Sequence, residues 1–146
     1  RAIQTKKYLY LFNPWSNGER IFATATNGTV TCKRMIALSE EDEEMNKRLE
    51  LYRFRVPEEL YQVNQDPDCL DNLIDYASKE KERIRLEGLL EEWMVRTKDP
   101  ILETFRNRDD PELVEAYVQK LEAEANARRI ANKPKSPKKA QPKKKP

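Results

Sequence analysis

The stretch SKEKERIRLEGLLEEWMVRTK, residues 78–98, decides how the chain is read. Ile84, Leu86, Leu89, Leu90, Trp93 and Met94 recur near the 3.6-residue period of an amphipathic helix, and charged residues fill the opposite side. A helix with one broad apolar face needs a surface to cover it. Asp99-Pro100 ends the pattern, because the residue before a proline is pushed out of the helical region. Downstream, Asp110-Pro111 joins a capping carboxylate to a proline at the first helical position, and Val114, Tyr117, Val118 and Leu121 continue as a narrow stripe towards Arg129. Beyond that helix, residues 133–146 read KPKSPKKAQPKKKP, with seven lysines and four prolines. Such a segment is too polar to bury and too rich in proline to be helical, so disorder is expected.

Upstream, the periodicity changes to two. Residues 6–12, KKYLYLF, alternate with Tyr8, Tyr10 and Phe12 on one side and Leu9 and Leu11 on the other, as in a strand covered on both faces. Pro14 stops ladder donation, and Asn17-Gly18 offers a tight reversal into 20–24, the expected partner strand. Asn27-Gly28 marks another turn, after which Met35, Ile36 and Leu38 suit a short helix over 32–38. Ser39 ahead of EEDEE reads as the cap of a helix carrying Met45, Leu49 and Tyr52 inward. Residues 51–54 and 59–63 read as extended, with Pro57 between them suiting an edge or a bend. The expected fold is α+β: a small antiparallel sheet packed against the long amphipathic helix. Residues 1–110 form the main unit, 111–132 a peripheral helix and 133–146 the basic tail.

Composition narrows the chemistry. At 146 residues and 38% apolar the chain can build one modest core, and 37% charged residues with a mean hydropathy of −0.95 require much solvated surface. No apolar run approaches a membrane span, so no membrane partner is expected. The chain starts at Arg1 without a basic-then-apolar leader, and a natural amino terminus upstream is therefore expected. With no histidine and only Cys32 and Cys69, the usual zinc constellations and the Ser-His and Cys-His nucleophiles are excluded, and so is a self-contained hydrolase of those kinds. All 26 acidic but only 21 of the 28 basic side chains lie in residues 1–132, so that body carries −5 against an overall +2. A nucleic-acid domain shows the opposite balance.

Two stretches resemble a known family. Residues 59–73, ELYQVNQDPDCLDNL, are similar to the E-L-Y-D-L-x-x-D-P-x-E-x-x-N-L signature near the carboxy end of sulfatases, through Glu59, Leu60, Tyr61, Asp66, Pro67, Asn72 and Leu73. Gln62 stands where that signature has aspartate and Cys69 where it has glutamate. Residues 93–100, WMVRTKDP, resemble the heparan N-sulfatase (sulfamidase) branch, whose corresponding helix carries a tryptophan and closes on T-x-D-P, here with Trp93, Asp99 and Pro100. The segment from Lys7 to Ser16, KYLYLFNPWS, is similar to a strand and loop of bacterial members of that branch. The likeness spans about residues 5 to 105.

The resemblance implies a carboxy-terminal subdomain, a small antiparallel sheet with a long helix, leaning on a large catalytic domain. It also implies an exported parent that hydrolyses sulfate esters or sulfamidates of sulfated sugars. The calcium and the formylglycine of such enzymes are expected in that missing domain, with no cofactor in this chain. Formylglycine arises from the first residue of C/S-x-P-x-R, and neither Cys32, followed by KRMI, nor Cys69, followed by LDNL, meets that pattern. The chain is thus expected to be inactive alone, with no catalytic residue and no metal ligand. Loops of the subdomain can rim the substrate pocket, so Asn13, Trp15 and Asn17 are candidates for sugar contact: an indole face stacks on a sugar ring and amides bond its hydroxyls. Burying the joint also predicts a contiguous apolar patch on the sheet side, and a surface without one favours a free-standing module instead. Asp66, Asp68, Asp71 and Asp75 lack the glycine and terminal glutamate of an EF-hand and read as turn and cap residues. Glu40 to Glu44 is a charged run with no apolar setting, and reads as solvated surface. The alternative function is a free-standing interaction module whose basic tail binds an anionic partner, of which nucleic acid is the disfavoured case given the acidic body.

Overall fold

A computed structural model describes residues 1–21 and 24–132. In chain order its elements are β1 (Ala2–Gln4), β2 (Leu9–Phe12), α1 (Val30–Ser39), α2 (Glu43–Arg53), β3 (Glu58–Tyr61), α3 (Glu80–Thr97), α4 (Leu102–Arg106) and α5 (Pro111–Ala131), with a 3-10 turn, Ala77–Lys79, leading into α3. The fold is α+β, and its sheet is antiparallel with strand order β1-β2-β3.

The first hairpin differs from the expected one. Lys6 and Lys7 belong to a turn rather than a strand, because the Thr5 amide donates to the Tyr8 carbonyl at 2.8 Å and Thr5 Oγ1 accepts from the amides of Lys7 (3.3 Å) and Tyr8 (3.0 Å). That turn folds Ala2–Gln4 back onto β2, pairing Ile3 with Tyr10. The expected partner, 20–24, is not a strand at Arg20, Ile21 or Thr24, and residues 22–23 lie outside the described residues. Asn17 is responsible: its Oδ1 accepts from the amides of Glu19 (3.1 Å) and Arg20 (2.7 Å), which coils the chain where a strand would have to run straight.

Residues 51–53 are helical, not extended, and Phe54 only caps them. α2 starts at Asp42, whose Oδ1 accepts from the Met45 amide at 3.0 Å, and it carries Leu49 inward at 2% exposure. Once nucleated, the helical period outweighs the strand preference of Leu51, Tyr52 and Phe54. Ser39 does not cap this helix. It closes α1, its hydroxyl donating to the Ile36 carbonyl at 2.7 Å, while Thr29 caps the start of α1 by accepting from the Cys32 amide.

The sheet's inner face meets α3. Tyr10, Phe12 and Leu60 pack with Leu73, Leu86, Leu90, Met94, Ile101 and Phe105, all buried, in one core. Each such large side chain stabilises the fold by roughly 1.5–3 kcal/mol. Leu86, Leu90 and Met94, four residues apart, are the helical line that faces the sheet. Ile84, Leu89 and Trp93 flank it and stay 55%, 37% and 41% exposed, because three short strands are too narrow to cover so broad a stripe. The expected apolar patch on the sheet side is accordingly absent among the described residues: no strand residue is a large exposed hydrophobic, and the exposed ones lie on helices and loops.

α3 closes on a Schellman motif. Lys98 adopts the left-handed conformation (φ 54°), its amide donates to Val95 at 3.2 Å, and the Asp99 amide reaches back to Met94 at 2.9 Å. α4, unforeseen in the sequence, then brings Phe105 edge-on to Phe12 with ring centroids 5.1 Å apart. α5 begins where Asp110-Pro111 predicts, Asp110 Oδ1 accepting from Glu112 (3.0 Å) and Leu113 (3.2 Å), and buries Val114 and Val118. The tail expected to be disordered lies outside the described residues.

Candidate functional site

The segment that carries the resemblance is built around β3. Because Leu60 sits opposite Tyr10 in a non-bonded register, its amide and carbonyl point away from β2, towards what would be a bare edge. Asn72 and Leu73 fill it. Asn72 Oδ1 accepts from the Leu60 amide at 2.9 Å and the Leu73 amide donates to the Leu60 carbonyl at 2.8 Å, so a side-chain amide stands in for a missing strand. Asn72 Oδ1 also accepts from Ile74 (3.2 Å), and its Nδ2 donates to the Glu58 carbonyl (3.3 Å). The loop returning to that edge is set by Asp66, whose carboxylate accepts from the amides of Leu70 (2.8 Å) and Asp71 (2.9 Å) ahead of the exposed Pro67 turn. Cys69 is held at φ 55° within it.

Glu58 and Glu59 leave β3 on opposite faces. On the inner face Glu58 Oε1 accepts from the Tyr10 hydroxyl (2.6 Å) and from Arg108 Nε (3.1 Å), and Arg108 Nη2 also donates to Glu87 of α3 (2.7 Å). The Arg108 guanidinium lies 4.7 Å from the Phe105 ring centroid. On the outer face Glu59, 1% exposed, accepts from Arg55 Nε (2.7 Å) and Nη2 and from the Tyr61 hydroxyl (2.9 Å). Burial, reinforced by the neighbouring Glu58 charge, pushes the Tyr10 phenol far above its ordinary range. Burial and Glu59 do the same for Tyr61. These are ionic clamps, closed on both sides, with no free acid or base aimed at a cavity.

Asn13, Trp15 and Asn17 share a loop but do not converge on one point. Asn13 lines a hollow of about 300 Å³ with Leu11, Tyr52 and Arg55, its amide bound to the Pro57 carbonyl at 2.7 Å. Trp15 is half-buried against the core, and its carbonyl accepts from Arg20 Nη1 at 3.2 Å. The Asn17 oxygen is committed to its own turn. The loop is pinned from outside by Arg20, which pairs with Glu115 of α5 at 3.0 Å. Ser16, 2% exposed in the same loop, has a hydroxyl without a partner among the described residues.

The remaining motif residues sit at the far end of α3. Trp93 is partly exposed, and its carbonyl accepts from the Thr97 hydroxyl at 2.9 Å. Asp99, 9% exposed, receives both Arg1 Nε and Nη2 and the Ile101 amide (2.9 Å), and these bonds, Arg1 first, hold its carboxyl below the usual carboxylate range. Pro100 is exposed.

A cleft of about 570 Å³ opens between the β1–β2 turn, the 62–65 turn and the start of α3. Lys79 is tethered at its rim, donating to Gln62 Oε1 (2.9 Å) and to the Tyr8 hydroxyl (3.3 Å) with its ammonium 5.5 Å from the Tyr8 ring centroid. This site was not legible in the sequence, because its parts come from three separate segments.

No group of three or more metal-ligating side chains occurs among the described residues, and both cysteines are free thiols. Burial, then the charge of Asp66, raises the Cys69 thiol, the opposite of what an activated nucleophile requires. None of the helices among the described residues is long and apolar enough to cross a membrane. No protein-family model matches the chain, and no curated protein matches it.

Proposed function

We propose that this chain is the carboxy-terminal, non-catalytic portion of a sulfatase of the heparan N-sulfatase type, which packs against a catalytic domain and helps shape its pocket for sulfated sugars. The observation that carries this reading is the unit formed by residues 59–73. Its Asp66 turn and its Asn72 clamp on Leu60 give four residues of the sulfatase-like signature, Leu60, Asp66, Asn72 and Leu73, a definite structural task. Support comes also from the end of α3, where the T-x-D-P stretch makes a Schellman stop and a carboxylate bound by Arg1. The surface left for a partner is on α3 rather than on the sheet: Leu89 and Trp93 along one flank, Ile84 and Val95 along the other, all more than a third exposed.

In this reading the calcium and the formylglycine are supplied by the upstream domain. Cys32 and Cys69 lack the required sequence context, and the Asp66 carboxylate is spent on backbone amides. Both groups, and every chemical step, belong to the upstream domain. The test is the reading frame ahead of Arg1, followed by expression of the longer product. A C/S-x-P-x-R sequence and calcium-dependent release of sulfate from N-sulfated glucosamine are expected, with no release by residues 1–146 alone. A frame without that motif, or hydrolysis by residues 1–146 unaided, overturns the reading.

A further inference from the structure

We propose that the cleft between the β1–β2 turn and the start of α3 is a binding subsite for a sulfated sugar unit, separate from the Asn13–Asn17 loop. The proposal rests on the sulfatase reading for its choice of ligand, but its own observations are local. First, the charge is inverted there. Lys6, Lys7 and Arg85 line the cleft against the single carboxylate of Glu82, and Lys79 bonds two further lining residues, Tyr8 and Gln62, in a body that carries a net −5. Glu82 is already occupied: Arg85 donates to it from Nη2 (2.6 Å) and Nε (3.2 Å), and this pairing, with Lys7 adding to it, holds its carboxyl low. With Glu82 paired to Arg85, the lining lysines Lys6 and Lys7 leave the cleft with positive charge in excess.

Second, the cleft offers directed donors beside those charges. Lys79 is held by Gln62 and Tyr8 rather than swinging free, which spares part of the entropy that an anion would otherwise have to remove from a lysine. Asn64 and Gln65 are also lining residues, and their side-chain amides are groups that donate to and accept from sugar hydroxyls. Third, the space is in the range that holds a small organic ligand. Cations for sulfate oxygens, amides for hydroxyls and a pocket of this size together fit a sulfated sugar better than a bare anion, which has no donor for the amide oxygens.

The experiment is a site-resolved NMR titration of the whole 146-residue chain with a heparin tetrasaccharide, its fully desulfated counterpart, sodium sulfate, and an oligonucleotide of equal charge. Site resolution matters because the lysines of 133–146 attract any polyanion. The expected result is that the tetrasaccharide shifts the amides of Thr5 to Tyr8, Gln62 to Gln65 and Arg85, and that the desulfated sugar does not. Lys6→Ala/Lys7→Ala, at an exposed turn, is expected to weaken the tetrasaccharide about tenfold without changing the melting temperature, as the loss of charge-assisted contacts implies. Arg85→Gln provides a second variant on a different element. Shifts confined to 133–146, undiminished binding by both variants, or equal affinity for the desulfated sugar, sulfate or the oligonucleotide overturns the proposal. The two readings fail separately: binding in the cleft with no upstream C/S-x-P-x-R removes the sulfatase and keeps the site, and the motif with no cleft shifts does the reverse.

Discussion

Two consecutive glutamates of β3, Glu58 and Glu59, are each claimed by one arginine and one tyrosine, yet their clamps are assembled in different ways. On the outer face Arg55 lies four residues before Glu59 and Tyr61 two after it, so the whole clamp is a local property of residues 55–61. On the inner face Arg108 stands 50 residues from Glu58 and 21 from Glu87, and Tyr10 stands 48 from Glu58. That clamp closes only when β2, β3, α3 and the segment after α4 have all docked. The outer clamp stiffens a strand, whereas the inner one locks sheet to helices at the edge of the apolar core.

The comparison predicts unequal losses. Arg108→Ala leaves Glu58 its Tyr10 hydroxyl and Glu87 its Arg83 partner, but unties the sheet from α3 and removes the guanidinium from Phe105, and is expected to cost about 3–5 kcal/mol in urea unfolding. Arg55→Ala leaves Glu59 with the Tyr61 hydroxyl and spares the ties between sheet and helices, with an expected cost of about 1–3 kcal/mol. Equal losses would show that the distant clamp has no special role. Tyr10→Phe and Tyr61→Phe each remove one hydroxyl bond and should cost about 1 kcal/mol.

Alkaline titration reads the same two tyrosines. Both phenols have folded-state values raised above the unfolded one, so their contribution is fully present below about pH 10 and is lost as pH rises beyond it. Absorbance near 295 nm should therefore show both ionising only with unfolding. Early ionisation of Tyr10 would mean that the inner clamp opens on its own. The smallest effects lie outside the clamps. Lys98→Gly relieves a left-handed residue and should stabilise by about 1 kcal/mol, and Ser16→Ala, which deletes an unsatisfied buried hydroxyl, should leave the unfolding midpoint unchanged or slightly higher.

Legibility in the sequence follows the same division between local and distant. Asp110-Pro111, the end of the long helix at Asp99-Pro100 and the Asp66-Pro67 turn could be read because caps and turns use donors and acceptors a few residues apart. Leu51 to Phe54 misled, since strand preference in so short a run is weaker than continuation from the Asp42 cap. β1 was missed because Ala2-Ile3-Gln4 has no pattern of its own and becomes a strand only by pairing with β2. Of the candidate site, the loop carrying Asn13, Trp15 and Asn17 was located, but not that Asn17 would spend its oxygen on the loop itself. The cleft with Lys79, Tyr8 and Gln62 left no trace, its residues being spread over 71 positions.

The long helix, its stop and the Asp66-Pro67 turn were written in the residues themselves, since each depends on interactions within about one or two turns of chain. Which line of α3 meets the sheet, which arginine serves Glu58, and where positive charge collects on an acidic body were fixed by packing alone. Those outcomes depend on distances between residues far apart in sequence, and such distances exist only after the elements have packed.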